Sequence, residues 1–105
     1  MAEFENYMSP GRRGHLIGIG GVSMSSLAEV LFDMGLNISG SDTMESQNVR
    51  NLRELGIPVI IGHREENITD DVEFVVRTAA VHDDNPEIVA ARAKDIPVFE
   101  RTQAW

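Results

Sequence analysis

The sequence predicts an α/β domain built around a parallel sheet, because short apolar runs alternate with segments of helical periodicity. The first apolar run, residues 15–19, is nearly continuous, as in strands that are covered on both faces. A glycine-rich segment follows it directly and leads into the first helical segment. The length of 105 residues suits one domain with a single core.

Five apolar runs are predicted as strands, at residues 15–19, 36–40, 57–61, 72–76 and 96–99. Three helical segments are predicted at residues 24–34, 49–55 and 85–94, and the polar connection 62–71 has room for one helical turn. Strands that alternate with helices form a parallel sheet with right-handed crossovers. We therefore predict a Rossmann-like three-layer domain with strand order 3-2-1-4-5, in which ligands bind where the order reverses, between strands one and four.

The chain ahead of this pattern is different in character. Residues 1–13 show no hydrophobic periodicity and include Pro10 and Gly11. We interpret them as a flexible leader that precedes a domain at residues 14–101.

The composition excludes several classes of function. There are 9 Lys and Arg against 17 Asp and Glu, a formal net charge of −8, and no cysteine. Nucleic acids and anionic lipid require basic surfaces, so neither is expected as a partner. The lack of cysteine excludes a disulfide framework, a thiolate metal site and a cysteine nucleophile. No apolar stretch reaches the roughly 18 residues of a membrane helix, and we expect a soluble, cytoplasmic domain.

The glycine-rich segment GIGGVSM, residues 18–24, lies between a predicted strand and a predicted helix, as dinucleotide-binding loops do. Gly18 suits a tight turn, and Gly20 and Gly21 lack a Cβ, so that a phosphate can approach the backbone. The N–H groups of the following helical turn would then bind a diphosphate. Ser23 stands where the third glycine of the fingerprint would be. The alternative is a glycine turn that binds nothing.

Ser41 and Asp42 end the second predicted strand. An aspartate at this position commonly accepts a hydrogen bond from a ribose hydroxyl. It could equally accept one from a pyrimidine N–H, or cap the next helix. The pattern therefore indicates a nucleotide diphosphate without specifying the base.

Three histidines raise the question of a metal site. We place His15 at the start of the first strand, at the opposite end of the sheet from His63 and His82. Two histidines without a third ligand make a poor metal site, so no metal is expected. His63 is expected either to reach a nucleotide or to face solvent.

The remaining polar residues favour structural roles. Asp83, Asp84 and Glu87 are interpreted as acidic residues that complement the dipole of the third helix, rather than as catalytic carboxylates. The serines near the glycine loop have no base placed by a motif to activate them. No catalytic residue is predicted.

Taken together, these residues resemble the N-terminal domain of the Mur ligases, the ATP-dependent enzymes that add amino acids to the peptidoglycan precursor. The resemblance covers about residues 14–101 and is strongest to the branch that adds L-alanine. It rests on HLIGIGG at 15–21 with Met24 and Leu27-Ala28-Glu29, on Gly40-Ser41-Asp42, on Gly62-His63 with Asn67, on Asp84-Asn85-Pro86-Glu87, and on Ile96-Pro97-Val98.

The resemblance implies that the domain binds the UDP part of UDP-N-acetylmuramic acid. The residues that it implies are Gly18, Gly20, Gly21, Val22, Ser23 and Met24 for the loop and diphosphate, Ser41 and Asp42 for the uridine, and His63, Thr78, Ala79 and Ala80 for the crevice near nucleotide and sugar. Two departures stand out: Ser23 replaces the usual glycine of the family, and Ala79 and Ala80 occupy a segment that is typically rich in serine.

Such ligases also need a G-x-x-x-x-G-K-[ST] loop for ATP, whereas the single lysine of this chain, Lys94, follows Ala93. The resemblance therefore implies that ATP and Mg²⁺ serve the intact enzyme through central and C-terminal domains that this chain lacks. It implies an inactive fragment whose residues 102–105 begin the link to the ATP-binding domain. In the intact enzyme the muramoyl carboxylate would become an acyl phosphate, which the amine of L-alanine attacks.

Three alternatives remain open. The glycine loop and Asp42 also suit the nicotinamide-binding domain of an oxidoreductase, and the fold suits a ligand-sensing regulatory module. Within the family, the murein-tripeptide recycling ligase is the nearest alternative, although its loop usually has a cysteine at the position of Gly20.

Overall fold

In the computed structural model, which describes residues 4–101, five parallel strands form one sheet in the order β3-β2-β1-β4-β5. The strands are β1 (Arg13–Ile17), β2 (Asn37–Asp42), β3 (Val59–Ile61), β4 (Phe74–Arg77) and β5 (Val98–Glu100). The helices are α1 (Val22–Asp33), α2 (Gln47–Leu55) and α3 (Pro86–Ala93), with 3-10 turns at Phe4–Tyr7 and Glu65–Asn67. The predicted fold class and strand order are confirmed. The expected link at 102–105 lies outside the described residues.

Two apolar clusters cover the two faces of the sheet. α1 and α2 pack on one face through residues such as Leu27 and Leu52. α3 packs on the other face, where Ile88 is fully buried. The central strand β1 serves both clusters, since Leu16 belongs to the first and Ile17 to the second. This alternation produces the three-layer arrangement.

Helices α2 and α3 both begin with a side-chain cap. Ser46 accepts a hydrogen bond from Val49 N at the start of α2, and Asn85 accepts one from Glu87 N at the start of α3. Gly56 ends α2 in the left-handed region, with φ of 104°. Among residues 4–101 no helix is both long and apolar enough to cross a membrane.

The carboxyl end of β1, which matters for binding, comes two residues earlier than predicted. β1 ends at Ile17, because Gly18 turns the chain with φ of 78°. β2 ends at Asp42, as predicted, and Asp42 pairs with Ile61 of β3. The turn that follows β1 therefore begins beside the last residues of β2.

The segment ahead of β1 is part of the folded domain. Residues 4–13 were interpreted from sequence as belonging to a flexible leader, but Phe4 is only 5% exposed. Its ring packs edge-to-face on Phe74 and Phe99, with centroids 5.3 Å apart in both pairs. Arg13 is the first residue of β1. Burial of aromatic area holds this segment on the core, although its sequence shows no hydrophobic periodicity.

Candidate functional site at the glycine loop

A cleft of about 540 Å³ opens at the carboxyl ends of the strands, where the strand order reverses. Its walls are the glycine loop, the end of β2 with the loop that follows it, and the loop after β4. The lining residues are Gly18, Gly20, Gly21, Val22, Ser23, Met24, Asp42, Thr43, Met44, Ser46, His63, Thr78, Ala80 and Val81. The structure thus brings together every binding residue predicted from sequence except Ser41 and Ala79.

The N-terminus of α1 presents free backbone donors to this cleft. Within residues 4–101, the N–H groups of Val22, Ser23 and Met24 have no hydrogen-bond partner, whereas the next one, Ser25 N, donates to Gly21 O at 2.7 Å. The first turn of α1 contains no acidic residue. Free donors and the positive end of the helix dipole favour an anion here.

One glycine of the loop, Gly20, has a different role from the one predicted. Gly20 was expected to let a phosphate approach, but a Cβ at this position would lie 2.7 Å from Asp42 Oδ2. The requirement for glycine here therefore comes from the aspartate. At Gly21 a Cβ would meet only Gly18 O, at 3.5 Å. Gly21 is consequently the position where an added side chain would enter the cleft.

Asp42 stabilises the loop as well as lining the cleft. Its Oδ2 accepts a hydrogen bond from Gly20 N at 2.8 Å, and its Oδ1 accepts one from Thr43 N at 2.7 Å. The capping alternative thus takes an unexpected form: Asp42 caps the glycine loop, while Ser46 caps α2. A carboxylate has about four acceptor positions, so Asp42 can still accept hydrogen bonds from a ligand.

Ser41 and Ala79 are not among the residues that line the cleft. Successive residues of a strand point to opposite faces of the sheet, and Ser41 is fully buried on the face away from Asp42. Its hydroxyl donates to Glu87 Oε1 at 2.7 Å. Ala79 is exposed and is not part of the cleft lining.

Glu87 is the polar residue whose position in the structure differs most from its interpretation in the sequence. It does occupy the first turn of α3, but its side chain is fully buried instead of facing solvent. Five groups donate to the carboxylate: His15 Nε2 at 2.6 Å and Ser41 Oγ at 2.7 Å reach Oε1, while Asn67 Nδ2 at 2.9 Å, Arg64 N at 3.1 Å and His63 Nδ1 at 3.3 Å reach Oε2. We call this set the Glu87 network.

The Glu87 network holds an ionised carboxylate. Burial alone raises the pKa of Glu87, but the hydrogen bond and electrostatic attraction of the His15 ring, with the hydrogen bonds from Asn67 and Ser41, lower it from 4.5 to about 2. The buried charge is therefore compensated by donors on every side.

His15 lies in the middle of β1, which corrects its predicted place at the strand's start. The strand begins two residues earlier, at Arg13. The ring of His15 is fully buried, and its Nδ1 contacts Ser39 Oγ at 2.9 Å. Its other ring nitrogen, Nε2, forms the hydrogen bond with Glu87 Oε1.

Arg77 is a further residue that sequence analysis missed. Its side chain, 11% exposed, donates to the carboxylate of Asp83 and to the carbonyl of Val81. The hydrogen bond from Arg77 lowers the pKa of Asp83. Arg77 thereby fixes the loop after β4, which forms one wall of the cleft. An arginine at a strand end six residues before an aspartate was the available signal.

A second cleft, of about 600 Å³, lies between the Glu65–Asn67 turn and α3. Its lining contains three carboxylates, those of Glu65, Glu66 and Asp70, and its one cation, Lys94, contacts Asp70 Oδ1 at 2.6 Å. That charge is unsuited to a diphosphate, so the smaller glycine-loop cleft is the better candidate. Residues 4–101 contain no group of three or more His, Cys, Asp and Glu side chains that could hold a metal.

The strand order and the free helix N-terminus at the reversal point define a doubly wound α/β domain with a cleft at its topological switch point. The family model described as "Mur ligase family, catalytic domain" matches residues 13–105. The chain belongs to the Mur ligase family, as the sequence motifs indicated.

Individual relatives agree with this assignment. A UDP-N-acetylmuramate–L-alanine ligase of Xanthobacter autotrophicus is 51% identical over 89 residues, which are 85% of this chain and 19% of that protein. The crystal structure of a UDP-N-acetylmuramate-alanine ligase from Thermotoga maritima matches with a TM-score of 0.82 and 41% identity, over 86% of this chain and 21% of that one. A murein peptide ligase from Psychrobacter arcticus has a TM-score of 0.82 at 22% identity, over 90% and 20% of the two chains, and shows the fold alone. The chain spans about a fifth of the length of the relatives it matches.

Proposed function

We propose that this chain binds the UDP part of UDP-N-acetylmuramic acid, as the substrate-binding part of a cytoplasmic ligase that adds L-alanine in peptidoglycan precursor synthesis. Membership of the family and the names of the relatives support the choice of substrate. The observation that carries the proposal is the set of three free N–H groups at Val22, Ser23 and Met24, which face a cleft at the carboxyl end of the sheet.

The diphosphate would bind through backbone groups rather than basic side chains. The cleft lining contains no lysine or arginine. Its one carboxylate, Asp42, already accepts hydrogen bonds from two backbone N–H groups. The N-terminus of α1 acts as about half a positive charge, which complements phosphate oxygens that approach past Gly21.

The nucleoside would lie over the end of β2. Asp42 has acceptor positions left for a ribose hydroxyl or a pyrimidine N–H. Two exposed apolar side chains flank the same cleft, Val22 at 80% and Met44 at 70% exposure, and they offer contact to the base. His63, Thr78 and Ala80 would face the nucleotide and the sugar.

ATP and Mg²⁺ do not fit the residues of this chain. The sequence contains no G-K-[ST] loop, and Lys94 caps the C-terminus of α3 and contacts Asp70. We therefore assign ATP and Mg²⁺ to the central and C-terminal domains of the complete enzyme, and we expect no ligase turnover from the chain alone. The 51% identity to an alanine ligase supports L-alanine as the amino acid that the complete enzyme adds.

Calorimetry with three ligands tests this proposal. We expect UDP-N-acetylmuramic acid and UDP to bind and NAD to bind poorly or not at all, because the diphosphate is common to all three and only the rest of the ligand discriminates. Tight binding of NAD without a signal for UDP would contradict the proposal and restore the oxidoreductase alternative.

A variant at Gly21 locates the site. Gly20→Val is unsuitable, because its side chain would collide with Asp42 whether or not a ligand is present. Gly21→Val places a branched side chain in the open part of the cleft, and we expect it to abolish UDP binding while the fold persists. Ala93→Val, at an exposed position of α3, is the matched control and should bind as the wild type does.

A further inference from the structure

The hydrogen atoms of the Glu87 network can be assigned by counting donors. Arg64 N and Asn67 Nδ2 can only donate, and both reach Glu87 Oε2. Asn67 Nδ2 also donates to Gly62 O at 3.1 Å, which fixes the orientation of the amide. Glu87 is therefore an acceptor at this oxygen, in agreement with an ionised carboxylate.

The same count determines what Ser41 does. Its hydroxyl has one hydrogen, and the 2.7 Å contact to the acceptor Glu87 Oε1 uses it. Ser41 Oγ also lies 2.9 Å from His63 Nδ1. Because Ser41 has no second hydrogen, His63 must donate in this contact. His63 Nδ1 also lies 3.3 Å from Glu87 Oε2, where a ring hydrogen is again the only one available.

The other ring nitrogen of His63 is left for a ligand. A neutral imidazole with its hydrogen on Nδ1 has a lone pair on Nε2. His63 lines the glycine-loop cleft, its side chain is 17% exposed, and Nε2 has no partner within residues 4–101. The cleft thus has backbone donors at α1 and side-chain acceptors at both Asp42 and His63.

We propose that Glu87 is a positioning residue that, together with Ser41, holds the hydrogen of His63 on Nδ1 and so presents Nε2 to the cleft as an acceptor for a hydroxyl of the bound nucleotide. His15 supports the carboxylate from the opposite side, since its Nε2 donates to Glu87 Oε1 at 2.6 Å. The identity of the ligand rests on the proposed function, but the state of the His63 ring does not.

The ring is read directly by ¹⁵N NMR of the histidine side chains in the ligand-free wild-type chain at about pH 8, where an ordinary imidazole is neutral. We expect the signature of the Nδ1–H tautomer at His63. An Nε2–H tautomer there would overturn the inference, whether or not UDP binds.

Two variants test whether the network causes this state. Ser41→Ala removes the acceptor of the Nδ1 hydrogen, and Glu87→Gln replaces the carboxylate with a group that also donates. In either variant we expect a substantial Nε2–H population and UDP affinity lowered by about fivefold, the size of one lost hydrogen bond. Glu66→Gln, an exposed glutamate on the same loop, is the control and should change neither. If Ser41→Ala and Glu87→Gln fold and keep the wild-type tautomer of His63, the inference is wrong. If a variant does not fold, the tautomer measured in the wild-type chain is the test.

Addition of UDP separates this inference from the proposed function. We expect the Nε2 resonance of wild-type His63 to shift as UDP binds, because its lone pair gains a donor. If UDP binds and the Nε2 resonance stays unchanged, the acceptor role is refuted while the proposed function stands. If UDP does not bind the wild type, the proposed function fails and the acceptor role fails with it, and the tautomer alone decides the positioning role.

Discussion

Ser41 and Asp42 are consecutive residues at the end of β2, yet they belong to two regions with opposite properties. Asp42 faces the glycine loop, where backbone N–H groups of α1 have no partner within the described chain. Ser41 faces the Glu87 network, and no buried side-chain polar atom of the described residues is without a hydrogen bond. On one face of the sheet, the buried polar side chains therefore have hydrogen-bond partners within the protein. On the other face, the backbone N–H groups at the start of α1 remain available to a ligand. His63 is the residue that belongs to both.

The largest effect on stability is expected from removing the carboxylate at the centre of the Glu87 network. Glu87→Ala leaves His15, Ser41 and Asn67 without their shared acceptor in a buried place. We expect the free energy of unfolding to fall by about 3–5 kcal/mol in urea titrations. Glu66→Ala removes an exposed glutamate and should stay within about 0.5 kcal/mol of the wild type. Equal effects from the two variants would show that the network adds no stability.

Acid should weaken the same region. The pKa of Glu87 is lowered in the folded chain from 4.5 to about 2, so its stabilising effect is complete above about pH 4.5 and is lost as the pH falls toward 2. The loss amounts to about 3 kcal/mol. Urea titrations of the wild type and Glu87→Gln over this range isolate the effect, because the lowered pKa values of Asp71, Glu73 and Asp83 are common to both proteins. A stability difference that stays constant from pH 6 to about pH 2 would refute this role of Glu87.

A smaller loss of stability, together with a loss of UDP binding, is expected from a substitution in the glycine-loop cleft. Asp42→Ala removes the acceptor of Gly20 N and Thr43 N, both of which water can reach. We expect a loss of about 1–2 kcal/mol in stability and of about tenfold or more in UDP affinity. Asp84→Ala, at another exposed acidic position, should change neither. If Asp42→Ala lowers stability but leaves UDP affinity intact, Asp42 only caps the loop.

The two regions also differ in how far the sequence predicts them. The glycine loop is encoded locally, because a strand, closely spaced glycines and a helix start follow each other within residues 15–24. The Glu87 network joins His15, His63 and Glu87, which are up to 72 positions apart, and each has an ordinary local explanation. Only the packing of α3 against the sheet brings them together. Gly20 shows the same limit, since its need for glycine comes from Asp42 and not from the loop itself.

We propose above that the N-terminus of α1 binds the diphosphate of a uridine nucleotide. An NMR titration of the ¹⁵N-labelled chain with UDP tests it most directly, because each backbone amide reports separately. We expect the largest shifts at the amides of Gly21, Val22, Ser23 and Met24, smaller shifts near Asp42 and His63, and none at Ala90 and Lys94 beside the second cleft. Shifts concentrated around Ala90 and Lys94, or no shifts at Val22, Ser23 and Met24 when UDP is bound, would contradict it.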